Sequence, residues 1–333
     1  MDLVTGGTGI VGAHLLLELL RQGRSVRALR RRGSDTGLVR RVFRHYGQEA
    51  LADRIEWAEG DLLDVVSLAD GLQGSERVYH CAALVSFAGG KAGELFDANV
   101  TGTANVVNAA LEAGSQRLCL VSSIAALGPS KGGGPLDEAA AWDDAAPASP
   151  YAISKHLAEM EAHRGMAEGL PCVIVNPGLV IGPGAEGRSS MALVNRLRQG
   201  TRWYTKGANG FVDARDVAAC MVKAMERGAP GERYVLVGEN ASYRRLFELL
   251  CEAFGRPAPR LEARPWMLHL ARRAEAIRGL LTGAEPLVTR QTVASALARR
   301  AYSSSKARER LGHQFLSLEE SVANAAAFIK ASA

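Results

Sequence analysis

Three glycines spaced three apart, Gly6, Gly9 and Gly12, stand between the apolar run Leu3 to Thr5 and the helix-period segment "GIVGAHLLLELLRQG". A glycine inside a helix costs about 1 kcal/mol relative to alanine, so a bare backbone has to serve some end there. A strand, a glycine turn and a helix in that order bring backbone N–H groups within reach of a pyrophosphate, whose charge the helix N-terminus favours. In such a turn Gly6 permits the reversal, Gly9 the close approach of the phosphates and Gly12 the tight packing of helix on sheet. The G-x-x-G-x-x-G spacing is wider than the commonest dinucleotide fingerprint, and glycines also serve plain strand-to-helix turns.

The rhythm that follows restricts the fold further. Strand candidates at Leu3 to Thr5, Ser25 to Leu29, Ile55 to Trp57, Val78 to Ala82, Leu118 to Val121 and Cys172 to Val175 alternate with helix-period stretches such as "ANVVNAALEAG". Alternation of that kind predicts an α/β chain, a Rossmann-type doubly wound parallel sheet whose ligand binds outside the carboxyl ends of the strands. Beyond residue 178 the pattern loosens: "GPGAEGRSS" reads as a loop, "ERYVLVG" as a strand able to return to the sheet, and the chain from Tyr243 as mostly helical. We expect a dinucleotide-binding domain over 1–178, joined by 211–240. The expected substrate lobe, smaller and mostly helical, takes 179–210 and 241–333.

Forty Lys and Arg against 35 Asp and Glu give a net charge of +5, too mild on 333 residues to mark a nucleic-acid or membrane partner. The arginines do cluster once, at Arg27, Arg30, Arg31 and Arg32. Cys81, Cys119, Cys172, Cys220 and Cys251 have no metal-ligand spacing, no other metal motif appears, and reduced thiols are expected. With no apolar leader ahead of the first strand and no long apolar run, the expected location is cytoplasmic.

Dinucleotide sites that take NAD usually end the second strand with an acid for the ribose 2′-OH, whereas an arginine accommodates a 2′-phosphate. Here the segment is "SVRALRRRGSD", so Arg30 and Arg31 favour NADP, with NAD the alternative; a solvated basic face would read the same way.

"SPYAISKHLAEME" sets Tyr151 and Lys155 four apart, on one face of a helix. A phenol with pKa near 10 is a poor acid at neutral pH, and a neighbouring ammonium is expected to lower it. Such a tyrosine can protonate a carbonyl oxygen as hydride arrives at the carbon. "LCLVSSIAALG" offers Ser122 and Ser123 at a strand end as hydroxyl donors to the same oxygen, or as helix caps. His80 reads as a core histidine and His156 as lying on the exposed side of its helix.

Gly6, Gly9 and Gly12, then Ser123, then Tyr151 and Lys155 resemble the extended short-chain dehydrogenase/reductases, also described as the NAD-dependent epimerase/dehydratase family. The resemblance extends to "GDLLD" (Gly60 to Asp64), "HCAA" (His80 to Ala83), "NVTGTANV" (Asn99 to Val106), "NPGLVIGPG" (Asn176 to Gly184) and "FVDARDVA" (Phe211 to Ala218). It implies that Gly6, Gly9, Ile10 and Gly12 cradle the cofactor, that Asp61 and Leu62 hold the adenine, and that Ala82 and Ala83 line the cleft. It also implies Asn99 as support for the active-site helix and Pro177 as the residue beside the nicotinamide. Ser123 would polarise the substrate, Tyr151 would act as acid/base, and Lys155 would partner the tyrosine and bind the ribose.

Within the family, the acidic pair that dehydratases carry after the catalytic hydroxyl is replaced by Ile124 and Ala125, and the R-x-x-N-V-Y-G-P pattern of epimerases by "NPGLVIGP". The chain looks more like the dihydroflavonol 4-reductase and 3β-hydroxysteroid dehydrogenase branches. That implies an NADP(H)-dependent reductase of a ketone or aldehyde, or oxidation of the corresponding alcohol. A nucleotide-sugar epimerase and a non-catalytic dinucleotide-binding regulator are the alternatives. The substrate pocket is expected among Leu84 to Leu95, Gly128 to Pro150 and Met191 to Tyr204, with Phe87, Trp142, Trp203 and Tyr204 as apolar candidates. Family members often pair through the helices holding Asn105 to Ala113 and Tyr151 to His163, which implies a homodimer.

Overall fold

The computed structural model describes residues 1–85, 92–129, 133–185, 187, 189–282 and 288–331. β1 (Asp2–Thr5), β2 (Val26–Arg30), β3 (Glu56–Glu59), β4 (Arg77–His80), β5 (Arg117–Val121) and β6 (Cys172–Pro177) form a parallel sheet in the order β3-β2-β1-β4-β5-β6. The order reverses between β1 and β4, which opens a crevice at the carboxyl ends. β7 (Leu179–Ile181), β8 (Trp203–Tyr204) and β9 (Ala208–Asp213) intervene before β10 (Arg233–Leu236), which pairs parallel with β6 as the seventh strand. All six expected strands are present with ends moved by one or two residues. The β4 ladder stops at His80 because the Ala82 N–H turns to Thr5 Oγ1, 3.3 Å away.

The helices are α1 (Ile10–Arg21), α2 (Gly37–His45), α3 (Val65–Leu72), α4 (Ala92–Phe96), α5 (Gly102–Glu112), α6 (Pro150–Ala167), α7 (Ser189–Leu197), α8 (Ala214–Arg227), α9 (Tyr243–Ala253), α10 (Pro265–Thr282), α11 (Arg290–Leu297), α12 (Ser305–Leu311) and α13 (Leu318–Ala331). Successive strand residues face opposite sides, and the core divides accordingly. Val4, Tyr79, Cys119 and Val173 meet α1 and α8 on one face; Leu3, Val78, Leu118 and Ile174 meet α3, α5 and α6 on the other. Full burial of each such aliphatic side chain stabilises the fold by about 1.5–3 kcal/mol.

A second core gathers Ile181, Met191, Phe211, Leu246, Leu250 and Leu318 around a small sheet of β7, β9 and β11 (Glu239–Ser242). β8 pairs with β12 (Leu261–Glu262). Side chains meet the outward amides at and just after β10. The Val235 N–H donates to Glu138 Oε1 and the Val237 N–H to Ser304 Oγ, both at 2.7 Å, while Leu136 bridges to Tyr302. All five cysteines are free thiols. Among the described residues no helix is long and apolar enough to cross a membrane.

Candidate active site

The glycine turn follows β1 directly. Gly6 has φ +67°, a left-handed conformation, and a Cβ there would sit 2.6 Å from the Ala82 nitrogen. A Cβ on Gly12 would fall 2.2 Å from the Gly6 carbonyl oxygen, so α1 reaches its depth against the turn only because none is present. Gly9 differs: its Cβ would meet only the Gly6 oxygen, at 3.2 Å, and otherwise open space. Gly9 is exposed and begins α1 without any side-chain cap, leaving the first-turn N–H groups, starting at the half-buried Ile10, for another acceptor. An uncapped helix start beside open space fits a phosphate group.

At the end of β2, Arg30 is half-buried, and its Nε is buried without a hydrogen-bond partner among the described residues. Glu59 approaches its Nη2 only to 3.8 Å. A guanidinium with an unmet donor suits an anionic or polar ligand atom. Arg31 is exposed. Asp61 Oδ1 accepts the Leu63 N–H at 3.0 Å, so one carboxylate oxygen holds its own turn, and the cap of α3 is Asp64. The Leu62 carbonyl accepts Asn105 Nδ2 at 2.8 Å. Ala82 is half-buried beside Gly6, and Ala83 is exposed.

Asn99 lies in a single π-type turn, Asp97–Thr101, ahead of α5, and is 1% exposed. Its Oδ1 accepts the Leu84 N–H at 2.7 Å, and its Nδ2 donates to the Leu84 carbonyl and to Ser154 Oγ, each at 3.0 Å. The amide thereby ties the segment after β4 to α6. His80 is buried and fully occupied. Thr103 Oγ1 donates to the Asn99 carbonyl, so it accepts the His80 Nε2–H, and His80 Nδ1 takes the Thr5 hydroxyl proton at 2.7 Å. Burial lowers His80 to about 3, keeping it neutral.

Ser122 and Ser123 leave β5 in opposite senses. Ser122 is 4% exposed and donates to Glu159 Oε1 at 2.5 Å. Ser123 Oγ accepts the Ala125 N–H at 3.1 Å, capping a short turn, and acts on the Tyr151 phenol to pull its pKa down. Ser149 caps α6 through the Ala152 N–H, with Pro150 opening the helix, so Tyr151 sits in the first turn. One turn on, Lys155 is 2% exposed and donates from Nζ to the Val121 carbonyl at 2.7 Å. Burial lowers its pKa to about 8, against the opposing fields of Glu159 and Cys81.

Tyr151 departs from expectation in one respect. Burial pushes its phenol above the ordinary value, with Ser123 pulling the other way, whereas the spacing to Lys155 predicts a lowered pKa. Spacing reports the neighbouring charge and is blind to desolvation. His156 is also corrected: it is half-buried, with Trp142 stacked on it at 4.3 Å between ring centroids. Of the other aromatic pocket candidates, Trp203 is 43% exposed beside Leu261, Tyr204 lies under the Arg244 guanidinium, and Phe87 lies outside the described residues.

Pro177 is buried at the end of β6, paired with Leu236. Arg30, Gly6, Ala82, Ser123 and Pro177 thus succeed one another across β2, β1, β4, β5 and β6. Four inter-strand steps span roughly 19 Å. Two residues of this region escaped the sequence reading. Glu159, 1% exposed, accepts Asn176 Nδ2 at 2.6 Å as well as Ser122, and Arg233 reaches its Oε2 at 3.4 Å. The signal for Glu159 was its place four residues after Lys155, on the same buried helix face; Arg233 had none.

A family model described as "NAD dependent epimerase/dehydratase family" matches residues 3–237. The chain is 36% identical over 272 residues to sterol demethylase protein B of Methylococcus capsulatus, covering 80% of this chain and 78% of that protein. It is 33% identical over 329 residues to a putative dihydroflavonol 4-reductase of Synechocystis sp., covering 97% and 92%. Among solved structures, that of gox2253 superposes with a TM-score of 0.82 at 30% identity, covering 100% of this chain and 98% of that one. The chain belongs to the NAD-dependent epimerase/dehydratase family, the extended short-chain dehydrogenase/reductases, and is an NAD(P)-dependent enzyme.

Proposed function

We propose that the protein is an NADP(H)-dependent reductase that converts a ketone or aldehyde to its alcohol, with Tyr151 as proton donor. The observation that carries this reading is the buried Lys155, one helical turn after Tyr151, with its Nζ fixed on the Val121 carbonyl at the end of the strand that leads into Ser123. Gly6, Gly9, Ile10 and Gly12 would hold the pyrophosphate, Arg30 and Arg31 the 2′-phosphate, and Asp61, Leu62, Ala82 and Ala83 the adenosine side. Asn99, Pro177, Tyr151 and Lys155 would frame the nicotinamide end. Bound there, the dinucleotide supplies the hydride.

The residues do the remainder. Burial keeps Tyr151 as the neutral phenol at neutral pH, which is the form that can give a proton to a carbonyl oxygen. Ser123, fixed by the Ala125 N–H, donates a hydrogen bond as charge develops on that oxygen. Lys155, with pKa about 8, is charged at neutral pH and favours the phenolate left behind. Residues 1–178 and 211–240 would carry the dinucleotide, and 179–210 with 241–333 the substrate. The sterol and dihydroflavonol names of the two relatives support a fused-ring, weakly polar substrate. A cytoplasmic homodimer paired through α5 and α6 is in keeping with the exposed Leu157 and Met160 on α6.

The test is NADPH oxidation against sterol ketones, dihydroflavonols, small aldehydes and UDP- or dTDP-sugars, with Tyr151→Phe as control. Turnover of a carbonyl compound that disappears in Tyr151→Phe supports the reductase. Inversion of a sugar without net NADPH consumption would replace it with an epimerase, and tight cofactor binding without Tyr151-dependent turnover with a regulator.

A further inference from the structure

We infer that Glu159 is a positioning residue: its buried carboxylate, one helical turn from Lys155 and paired with Arg233, locks the acid–base residues to the segment Leu136 to Trp142, part of the stretch expected to wall the substrate side. The inference rests on the proposed reductase reading and deepens it.

Three sets of contacts support it. Glu159 Oε1 takes the Ser122 hydroxyl and Asn176 Nδ2, and the same Asn176 Nδ2 donates to the Ser123 carbonyl at 3.0 Å. The backbone that presents Ser123 is therefore tied to one carboxylate twice, through the Ser122 hydroxyl and through Asn176. Glu159 Oε2 faces Arg233, whose Nε and Nη2 donate to the Glu138 carbonyl at 2.9 and 2.7 Å and whose Nη2 also reaches the Ala140 carbonyl at 2.7 Å. That segment meets α6 again where Trp142 stacks on His156. The buried Glu159 carboxylate is the ion-pair partner of the half-buried Arg233 and acts through its charge on the buried Lys155, so removing the anion withdraws compensation from both cations.

The other titratable groups around the pair are His80 and Cys81 at the end of β4, Tyr151 and His156 on α6, and Arg233 from β10. His80 and Cys81 are held neutral by burial, at about 3 and about 12. Glu159 is then the anion that favours the ammonium form of Lys155.

Glu159→Gln keeps the shape and an acceptor for Ser122 but removes the charge. Two readouts follow the variant in the full chain. The pH at which Lys155 becomes reactive to acetic anhydride, read by mass spectrometry on its peptide, is expected to fall by about one unit or more. The alkaline limb of turnover falls with it, and Glu159→Asp, which restores a carboxylate, moves both back toward the parent. Amide hydrogen exchange over Leu136 to Trp142 is expected to rise severalfold in Glu159→Gln. If that variant does not fold, Arg233→Met gives the same rise in exchange. Unchanged Lys155 reactivity and unchanged exchange in folded Glu159→Gln, or unchanged exchange in Arg233→Met, would overturn the inference. Turnover that survives Tyr151→Phe would instead overturn the proposed reaction, and the labelling and exchange readouts would still decide the role of Glu159.

Discussion

Two alanine substitutions in the same turn should have separable effects. Gly12→Ala places a methyl 2.2 Å from the Gly6 oxygen and 2.8 Å from Gly6 C and Gly7 Cα, all backbone atoms with no side-chain freedom to yield. Relief needs α1 to withdraw by about 1 Å, and overpacking of this kind costs about 1–3 kcal/mol. Alanine recovers about 1 kcal/mol of helix propensity, so the net expectation is destabilisation of up to about 2 kcal/mol. Gly9→Ala is different. Its φ of −85° and ψ of 170° suit alanine, which lowers unfolded-chain entropy by about 0.4–1 kcal/mol, and the poorer N-cap offsets a similar amount. Stability should hardly move. The new methyl occupies the open side of the turn, however, and NADPH affinity should fall at least tenfold, about 1.4 kcal/mol. Thermal and urea unfolding of the ligand-free chain measure the first effect, and NADPH fluorescence titration the second. Parental NADPH affinity in Gly9→Ala would refute the assignment of this turn to phosphate.

Ser123→Ala should lower kcat of a Tyr151-dependent reduction by about a hundredfold, the usual loss of one oriented donor, with the fold intact; an equal or larger loss of kcat in Ser122→Ala would reverse the assignment of the two serines. Arg30→Asp should abolish a preference for NADPH over NADH, and indifference of the parent to the two cofactors would remove the basis of that prediction. His80 is neutral when folded and ordinarily titrates near 6.5, so below that pH the unfolded chain binds the extra proton and stability is lost as pH falls toward 3. The contribution is about 2 kcal/mol at pH 5. His14, held to about 4 by burial, adds to the same slope, and urea midpoints from pH 7 to 4.5 should flatten in His80→Gln.

The parallel sheet and its glycine turn were legible because they depend on local chemistry: β-branched runs, a helix-period segment and residues without a Cβ at fixed offsets. The pairing of β10 with β6 was legible only as a strand free to return. β8 and β12, two residues each, carry no period at all and exist because Trp203 and Leu261 meet across the fold. At the site, the spacing of Tyr151 and Lys155 gave their shared face, yet the direction of the phenol's shift depends on burial that no spacing encodes. The proposed choice of Ser123 over Ser122 rests on the resemblance, because either serine can serve as a cap; the physical difference between them is a carboxylate 37 residues away that takes the Ser122 hydroxyl proton. Arg233 was unreadable for the same reason, its partners Glu138 and Glu159 being brought to it by the fold alone.

The far side of β10 has a consequence for how these molecules behave when crowded. The outward amides of Val235 and Val237 are answered by a carboxylate and a hydroxyl, so these donors are not offered to a strand from another chain. At the opposite margin β3 carries Glu56 and Glu59, charges that a docking strand would have to bury. Both margins thereby disfavour the addition of a strand from another chain, the first step toward the shared ribbons that lead to fibres.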